Sequence, residues 1–245
     1  MVNTVNTFPG GVGVSGLSVY DWPTADGLCG GSPHVHLACA EAYVVVGGTG
    51  RVQTLTRSGS VEIPLEAGTV AWFTPGTIHR LVNDDGALRI VVIMQNGGLP
   101  EAGDAVFTFP AATLADAEAY DRAAALADGT HVHAAGEDAA RRRRDLAIEG
   151  FLELRRATEA GDTSALEEFY RAAVRLKADR FAEWEERWRS GALTAAEATG
   201  AQLTALRHGD GSHLERAAVH LAPDPAGDRL GMCGRLDVYD LAGDR

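Results

Sequence analysis

Apolar positions in the first 110 residues fall in short runs separated by glycine-rich breaks. Residues 17–21, 42–46, 51–57, 61–65, 70–74, 78–83 and 88–95 each carry a strand-length apolar or alternating stretch. Such runs, bounded by turn residues, predict antiparallel strands. Gly47-Gly48-Thr49-Gly50 and Arg57-Ser58-Gly59-Ser60 read as hairpin turns between them. Many short strands closing on themselves predict a jelly-roll barrel.

Beyond residue 110 the period changes to that of a helix. Within 138–160, Ala147, Ile148, Phe151 and Leu152 form one apolar face, and Gly161 ends it. Ser164 with Glu167 reads as a capping box for a helix bearing Leu166, Phe169, Tyr170, Ala173 and Val174. Phe181, Trp184 and Trp188 continue that stripe as a core or a dimer seam, and Thr194 with Glu197 predicts a cap for a helix ending near Arg207. Residues 114–127 are also expected to be helical. The tail from Gly234 to Leu241 resembles residues 16–22, so it is expected to return as a strand beside the barrel. The resulting division is a β-barrel over 1–110, a helical lobe over 111–208 and a C-terminal segment over 209–245.

Charge narrows the partners. The chain has 22 basic and 34 acidic residues, a net charge of −12. This acidity opposes nucleic acid and anionic membranes, so neither is expected to bind. The run Arg141 to Arg144 points in several directions on its helix among acidic residues, and is read as a solvated face. Cys29, Cys39 and Cys233 have no paired spacing, which fits a reducing, cytoplasmic setting; Cys39 is assigned to a turn. The N-terminus has no signal-peptide pattern.

Two segments carry the candidate chemistry. The first contains His34, His36 and Glu41, followed by Gly48; the second contains Gly68, Gly76, His79 and Asn83. Alternate residues of a strand share a face, so His34 and His36 point into one cavity. Glu41 has the opposite parity, and a turn through Leu37 to Ala40 with a returning strand brings it back. His79 is expected from a second hairpin. Three imidazoles and one carboxylate suit one divalent transition metal (Fe, Mn, Ni, Cu or Zn) with positions left for water or substrate. Tyr43 and Gln53 are possible pocket residues, with a core tyrosine and a hydrogen-bonded strand glutamine as the alternative readings. Trp72 is assigned to barrel packing. His131 and His133 repeat the His-x-His pattern without a third ligand and are read as loop; His208, His213 and His220 are assigned no chemistry.

The two segments resemble the paired motifs of the cupin superfamily over roughly residues 15–110. The departures are an upstream glycine, Gly27, offset by one position, and Thr74 where the family usually has proline, with Pro75 one step late. The resemblance implies a mainly β protein with an α-helical extension: a cupin double-stranded β-helix plus C-terminal helices. It also implies a metal held by His34, His36, Glu41 and His79, and a small-molecule substrate. The leading functional reading is a mononuclear non-haem oxygenase of dioxygenase type. The alternatives are a metal-dependent sugar isomerase or epimerase, for which Glu62 and Glu66 are base candidates by proximity to the second motif and a detached Glu41 is a further one, and a non-catalytic small-molecule-binding cupin. A homodimer is expected.

Overall fold

The computed structural model describes residues 8–126 and 134–239; His131 and His133 lie outside them. The glycine-punctuated runs form strands β1 (Gly13–Val19), β2 (His34–Val35), β3 (Glu41–Gly47), β4 (Thr49–Thr56), β5 (Gly59–Glu66) and β6 (Val70–Phe73). They continue as β7 (Ile78–Asn83), β8 (Arg89–Met94), β9 (Val106–Phe107), β10 (Ala226–Leu230) and β11 (Gly234–Val238). Antiparallel pairing arranges them as a six-stranded sheet, β10-β11-β1-β8-β3-β6, and a five-stranded sheet, β5-β4-β7-β2-β9. The chain is thus mainly β with a helical extension, a double-stranded β-helix.

Between the sheets lies one apolar core. Tyr43 and Val45 of β3, Val52 of β4, Leu81 of β7, and Ile90 and Val92 of β8 meet there, all buried. Consecutive strands often belong to different sheets, and this changes one of the two expected hairpin turns. Arg57 and Ser58 do turn the β4–β5 hairpin, with Thr56 opposite Gly59. The segment 47–50 instead carries the chain across from one sheet to the other. Gly48 has φ of +73°, and a Cβ there would lie 2.3 Å from the Ala87 carbonyl carbon, so only glycine fits the corner.

The helices are α1 (Ala111–Leu114), α2 (Ala117–Ala124), α3 (Ala134–Glu159), α4 (Ser164–Leu176), α5 (Phe181–Trp188) and α6 (Thr194–Arg207). They bury Ala147, Phe151, Leu166 and Phe169 against the outer face of the five-stranded sheet, where Val35, Leu55 and Ile78 project. Every residue of β7 is buried: Leu81 faces the barrel core, Ile78 packs under the helices, and Arg80 lies against the loop carrying Thr24 and Asp26. Where α3 crosses the segment after β9, Gly150 allows contact too close for a side chain: a Cβ would lie 2.1 Å from Thr108 O. The C-terminal strand β11 lies beside β1, pairing Leu17 with Leu236.

Several local expectations are corrected. Ser164 forms no capping box; its amide and hydroxyl both bond to Asp162 Oδ1. Thr194 caps nothing, because α5 runs through a π-helical stretch, Arg189–Leu193, into α6, and Thr194 Oγ1 donates back to Arg189 O. In the segment read as one helix over 114–127, Asp116 separates α1 from α2 and caps the latter, accepting from Glu118 N and Ala119 N. The aromatic stripe splits, with Trp184 buried and Phe181 and Trp188 on the surface. Trp72 is 74% exposed on the edge strand β6, so it does not pack the barrel.

The arginine run is the largest correction. Arg142 is exposed, but Arg143 and Arg144 are 8% and 1% exposed. Arg144 donates to Trp22 O and Pro23 O, each at 3.0 Å, and Arg143 donates to Ala124 O and Gly231 O. Arg141 lies 4.1 Å over the Trp22 ring, which itself stacks on Tyr20. The run fastens α3 to the barrel and the C-terminal segment. Helical periodicity rates arginine as polar and is blind to carbonyls presented by a neighbouring loop. Among the described residues, no helix is long and apolar enough to cross a membrane.

Candidate metal centre

His34 sits on β2 and His79 on β7, directly opposite each other in antiparallel register. His36 follows immediately after β2. Glu41 opens β3, in the other sheet, so the four residues approach from both walls of the barrel. The return expected after the Leu37–Ala40 turn is thus a crossover rather than a hairpin. It restores Glu41 to the interior because facing sheets project side chains toward each other, with Tyr43 and Val45 following on the same face.

All four side chains are buried, and their ligand atoms lie within 4.8 Å of one another. Glu41 Oε2 is 3.2 Å from His36 Nε2 and 3.1 Å from His79 Nε2, and His79 Nε2 is 3.1 Å from His34 Nε2. Each imidazole uses its other nitrogen on a backbone carbonyl. His34 Nδ1 donates to Ser32 O at 2.9 Å, His79 Nδ1 to Thr77 O at 3.0 Å, and His36 Nδ1 to Asp104 O. That bonding leaves every Nε2 lone pair facing the cluster, the arrangement characteristic of histidine ligands. Glu41 Oε2 has no hydrogen-bond partner. Converging lone pairs at such distances repel unless a proton or a cation lies among them, so the donor set fits a divalent transition metal.

The electrostatics agree with a ligand-competent state. Burial and the neighbouring imidazoles push the His34 pKa well down, keeping that ring neutral. Burial opposes ionisation of Glu41, but His79 and His36 outweigh it and hold the carboxyl well below its ordinary value. For His36, burial is outweighed by Glu41 and Asp104, which raise its pKa. The Tyr43 phenol is pushed well up, first by burial and then by the Glu41 charge, and its hydroxyl has no hydrogen-bond partner. Phe73 closes on the site with its ring 4.3 Å from that of His79.

Gln53 is not in the pocket. It lies outside the barrel wall, where Nε2 donates to Glu62 Oε1 at 2.6 Å and Oε1 accepts from the buried Arg80. The hydrogen-bonded strand glutamine is the reading the structure shows. Glu62 is thereby engaged away from the ligands, and Glu66 is exposed at the end of β5. Cys39 is buried against Asn96, whereas Cys233 Sγ lies 3.9 Å from His34 Nδ1. A residue that sequence reasoning missed is Asp104. It is fully buried and supplies the carbonyl for His36, and its carboxylate accepts from Leu37 N and Ala38 N. No sequence signal marked it, because its role rests on a loop folding back 66 residues later. A cavity of about 490 Å³ between α1, α3 and α4 shares no residue with this cluster.

No family model matches the sequence, and no curated protein matches it. Among solved structures, a variant of Bacillus subtilis oxalate decarboxylase matches at 19% identity, covering 28% of this chain and 18% of that chain, with a TM-score of 0.27. A Klebsiella pneumoniae protein with a double-stranded β-helix domain matches at 20% identity, 36% and 67% coverage and a TM-score of 0.27. The Streptomyces nucleoside dehydratase Pac13 matches at 15% identity, 39% and 67% coverage and a TM-score of 0.30. The chain thus spans less than a fifth of the length of the decarboxylase it matches. The strand order makes this a double-stranded β-helix, and His34, His36, Glu41 and His79 are gathered between its walls.

Proposed function

We propose that this protein holds one divalent transition metal through His34, His36, Glu41 and His79 and acts on a small polar metabolite as a mononuclear non-haem oxygenase. The observation that carries the metal assignment is the convergence of three Nε2 atoms and one carboxylate oxygen, each imidazole fixed through Nδ1. A redox-active ion such as iron or manganese would supply binding of adjacent substrate oxygens and activation of dioxygen. The chain's own groups shape the rest. Phe73 and the buried wall beneath it exclude water from the site. Tyr43 keeps its proton and has a free hydroxyl, which suits it to donate a hydrogen bond to a substrate oxygen.

Isomerisation requires a separate base beside the substrate. Glu62 is bonded to Gln53 outside the barrel, Glu66 is exposed, and the chain's single lysine, Lys177, follows α4. Asp104 Oδ1 accepts from two backbone amides, while Oδ2 is buried without a hydrogen-bond partner 3.9 Å from His36 Nδ1. Neither Glu62 nor Glu66 is turned toward the ligands, which favours the oxygenase over an isomerase that uses either of them as its base. The test is metal analysis of protein purified without chelator or histidine tag, with a His34→Ala/His36→Ala control, followed by oxygen-electrode screening of hydroxy acids and diols. Near-stoichiometric iron or manganese, lost in the control, with substrate-dependent oxygen uptake is expected. Oxygen-independent turnover would overturn the oxygenase assignment, and saturable binding without turnover would make the protein a binder.

A further inference from the structure

Each of the three carbonyls that orient the candidate ligands lies in a loop tied to the helical lobe or to the C-terminal segment. Thr77 O accepts from His79 Nδ1, and the adjoining Gly76 O accepts from the Tyr170 hydroxyl of α4 at 2.7 Å. Gly76 N in turn donates to His36 O. Asp104 O accepts from His36 Nδ1, and in the same loop Ala102 O accepts from Trp184 Nε1 of α5 at 3.1 Å. That loop is a tight succession of turns, with Ala102 N bonded to Gly98 O and Asp104 N to Leu99 O, so Ala102 and Asp104 move together. Ser32 O accepts from His34 Nδ1, while Ser32 N donates to Met232 O in the segment between β10 and β11.

We propose that Tyr170 and Trp184 are positioning residues for the metal ligands. On this view the helical extension fixes the imidazole geometry of the barrel loop by loop, with Tyr170 addressing His79 and Trp184 addressing His36, while the C-terminal segment addresses His34. The assignment rests on the metal-site reading above for its purpose, but not for its mechanics. A histidine whose partner carbonyl shifts loses its preferred ring orientation, and outer-sphere partners of this kind govern affinity. Tyr170 and Trp184 touch no ligand, so their influence passes through the loops.

The experiment compares wild type with Tyr170→Phe, Trp184→Phe and Trp188→Phe. The last removes an indole from α5 that makes no hydrogen bond to these loops. Long-range ¹H–¹⁵N imidazole spectra of metal-free protein are read beside cobalt(II) affinity by chelator competition. Expected is a selective change at His79 for Tyr170→Phe and at His36 for Trp184→Phe, with His34 unmoved. Cobalt affinity should fall about three- to tenfold in each, the worth of one hydrogen bond relayed to a ligand, and stay at the wild-type value in Trp188→Phe. Equal changes at all three rings, or no change in either variant, would overturn the proposal. Should wild type bind no cobalt, the metal reading fails, and the pattern of imidazole changes still decides whether the helices position the rings. Tyr170→Phe removes a single oxygen, so it remains interpretable if Trp184→Phe folds poorly.

Discussion

Arg144 and Arg142 differ by two positions on one helix, and alanine at each should give very different proteins. Arg144 is buried and donates to two loop carbonyls, Trp22 O and Pro23 O, while Arg142 is exposed. A hydrogen bond from a charged group contributes about 1.5–3 kcal/mol, so two give a gross loss of about 3–6 kcal/mol. Relief of the buried charge offsets part of this, and the pair with half-exposed Asp145 adds at most about 1 kcal/mol. Arg144→Ala should therefore cost about 2–4 kcal/mol, against a change within about 0.5 kcal/mol for Arg142→Ala. In a chain of this length that corresponds to a drop in melting temperature of roughly 5–15 °C. Urea unfolding followed by circular dichroism gives the free energies, and a differential scan gives the melting points. Equal stability of the two variants would refute the view that this run fastens α3 to the barrel.

Asp104→Ala should cost about 2–4 kcal/mol by stranding the amides of Leu37 and Ala38, while Asp104→Asn, which keeps an acceptor, should cost less than half as much; equal losses in urea unfolding would count against this role. Asp26 lies against the buried Arg80; burial raises its pKa, but bonds from Arg80 and Thr24 prevail and lower it from 3.8 to about 2. A depressed carboxyl stabilises the fold above its unfolded value and loses that contribution as pH falls through the folded value. The gap between wild type and Asp26→Asn should be about 1 kcal/mol near neutrality, discounted for partial solvation, and should close between pH 4 and 2 in acid-unfolding curves. His79→Ala should lose most bound metal in elemental analysis while keeping the β-sheet circular dichroism signal, and full occupancy would sink the ligand assignment.

The strands, the helical addition and the inward faces of His34, His36 and Glu41 were legible in the sequence because period and glycine spacing are local properties. What escaped it depends on which segments meet. The corner at Gly48 looks like a hairpin until β3 and β4 are seen in different sheets. Gln53 shares its strand with core residues, yet parity turns it outward to Arg80. Arg143 and Arg144 carry a polar label that hides their burial, and Trp72 carries an apolar one that hides its exposure. The carbonyls of Ser32, Thr77 and Asp104 have no side-chain identity to read at all.

The division of the candidate ligands between walls has a mechanical consequence. Glu41 comes from the six-stranded sheet, whereas His34 and His79 belong to the five-stranded one. An ion bonded to all of them would be a non-covalent crosslink across the barrel seam, in addition to any chemistry it performs. Its contribution to stability would grow with the logarithm of free metal, reaching about 4 kcal/mol at a thousandfold excess over the dissociation constant. The resistance of the barrel to heat therefore becomes a gauge of occupancy that needs no knowledge of substrate, and Glu41 is the strut through which that gauge reads.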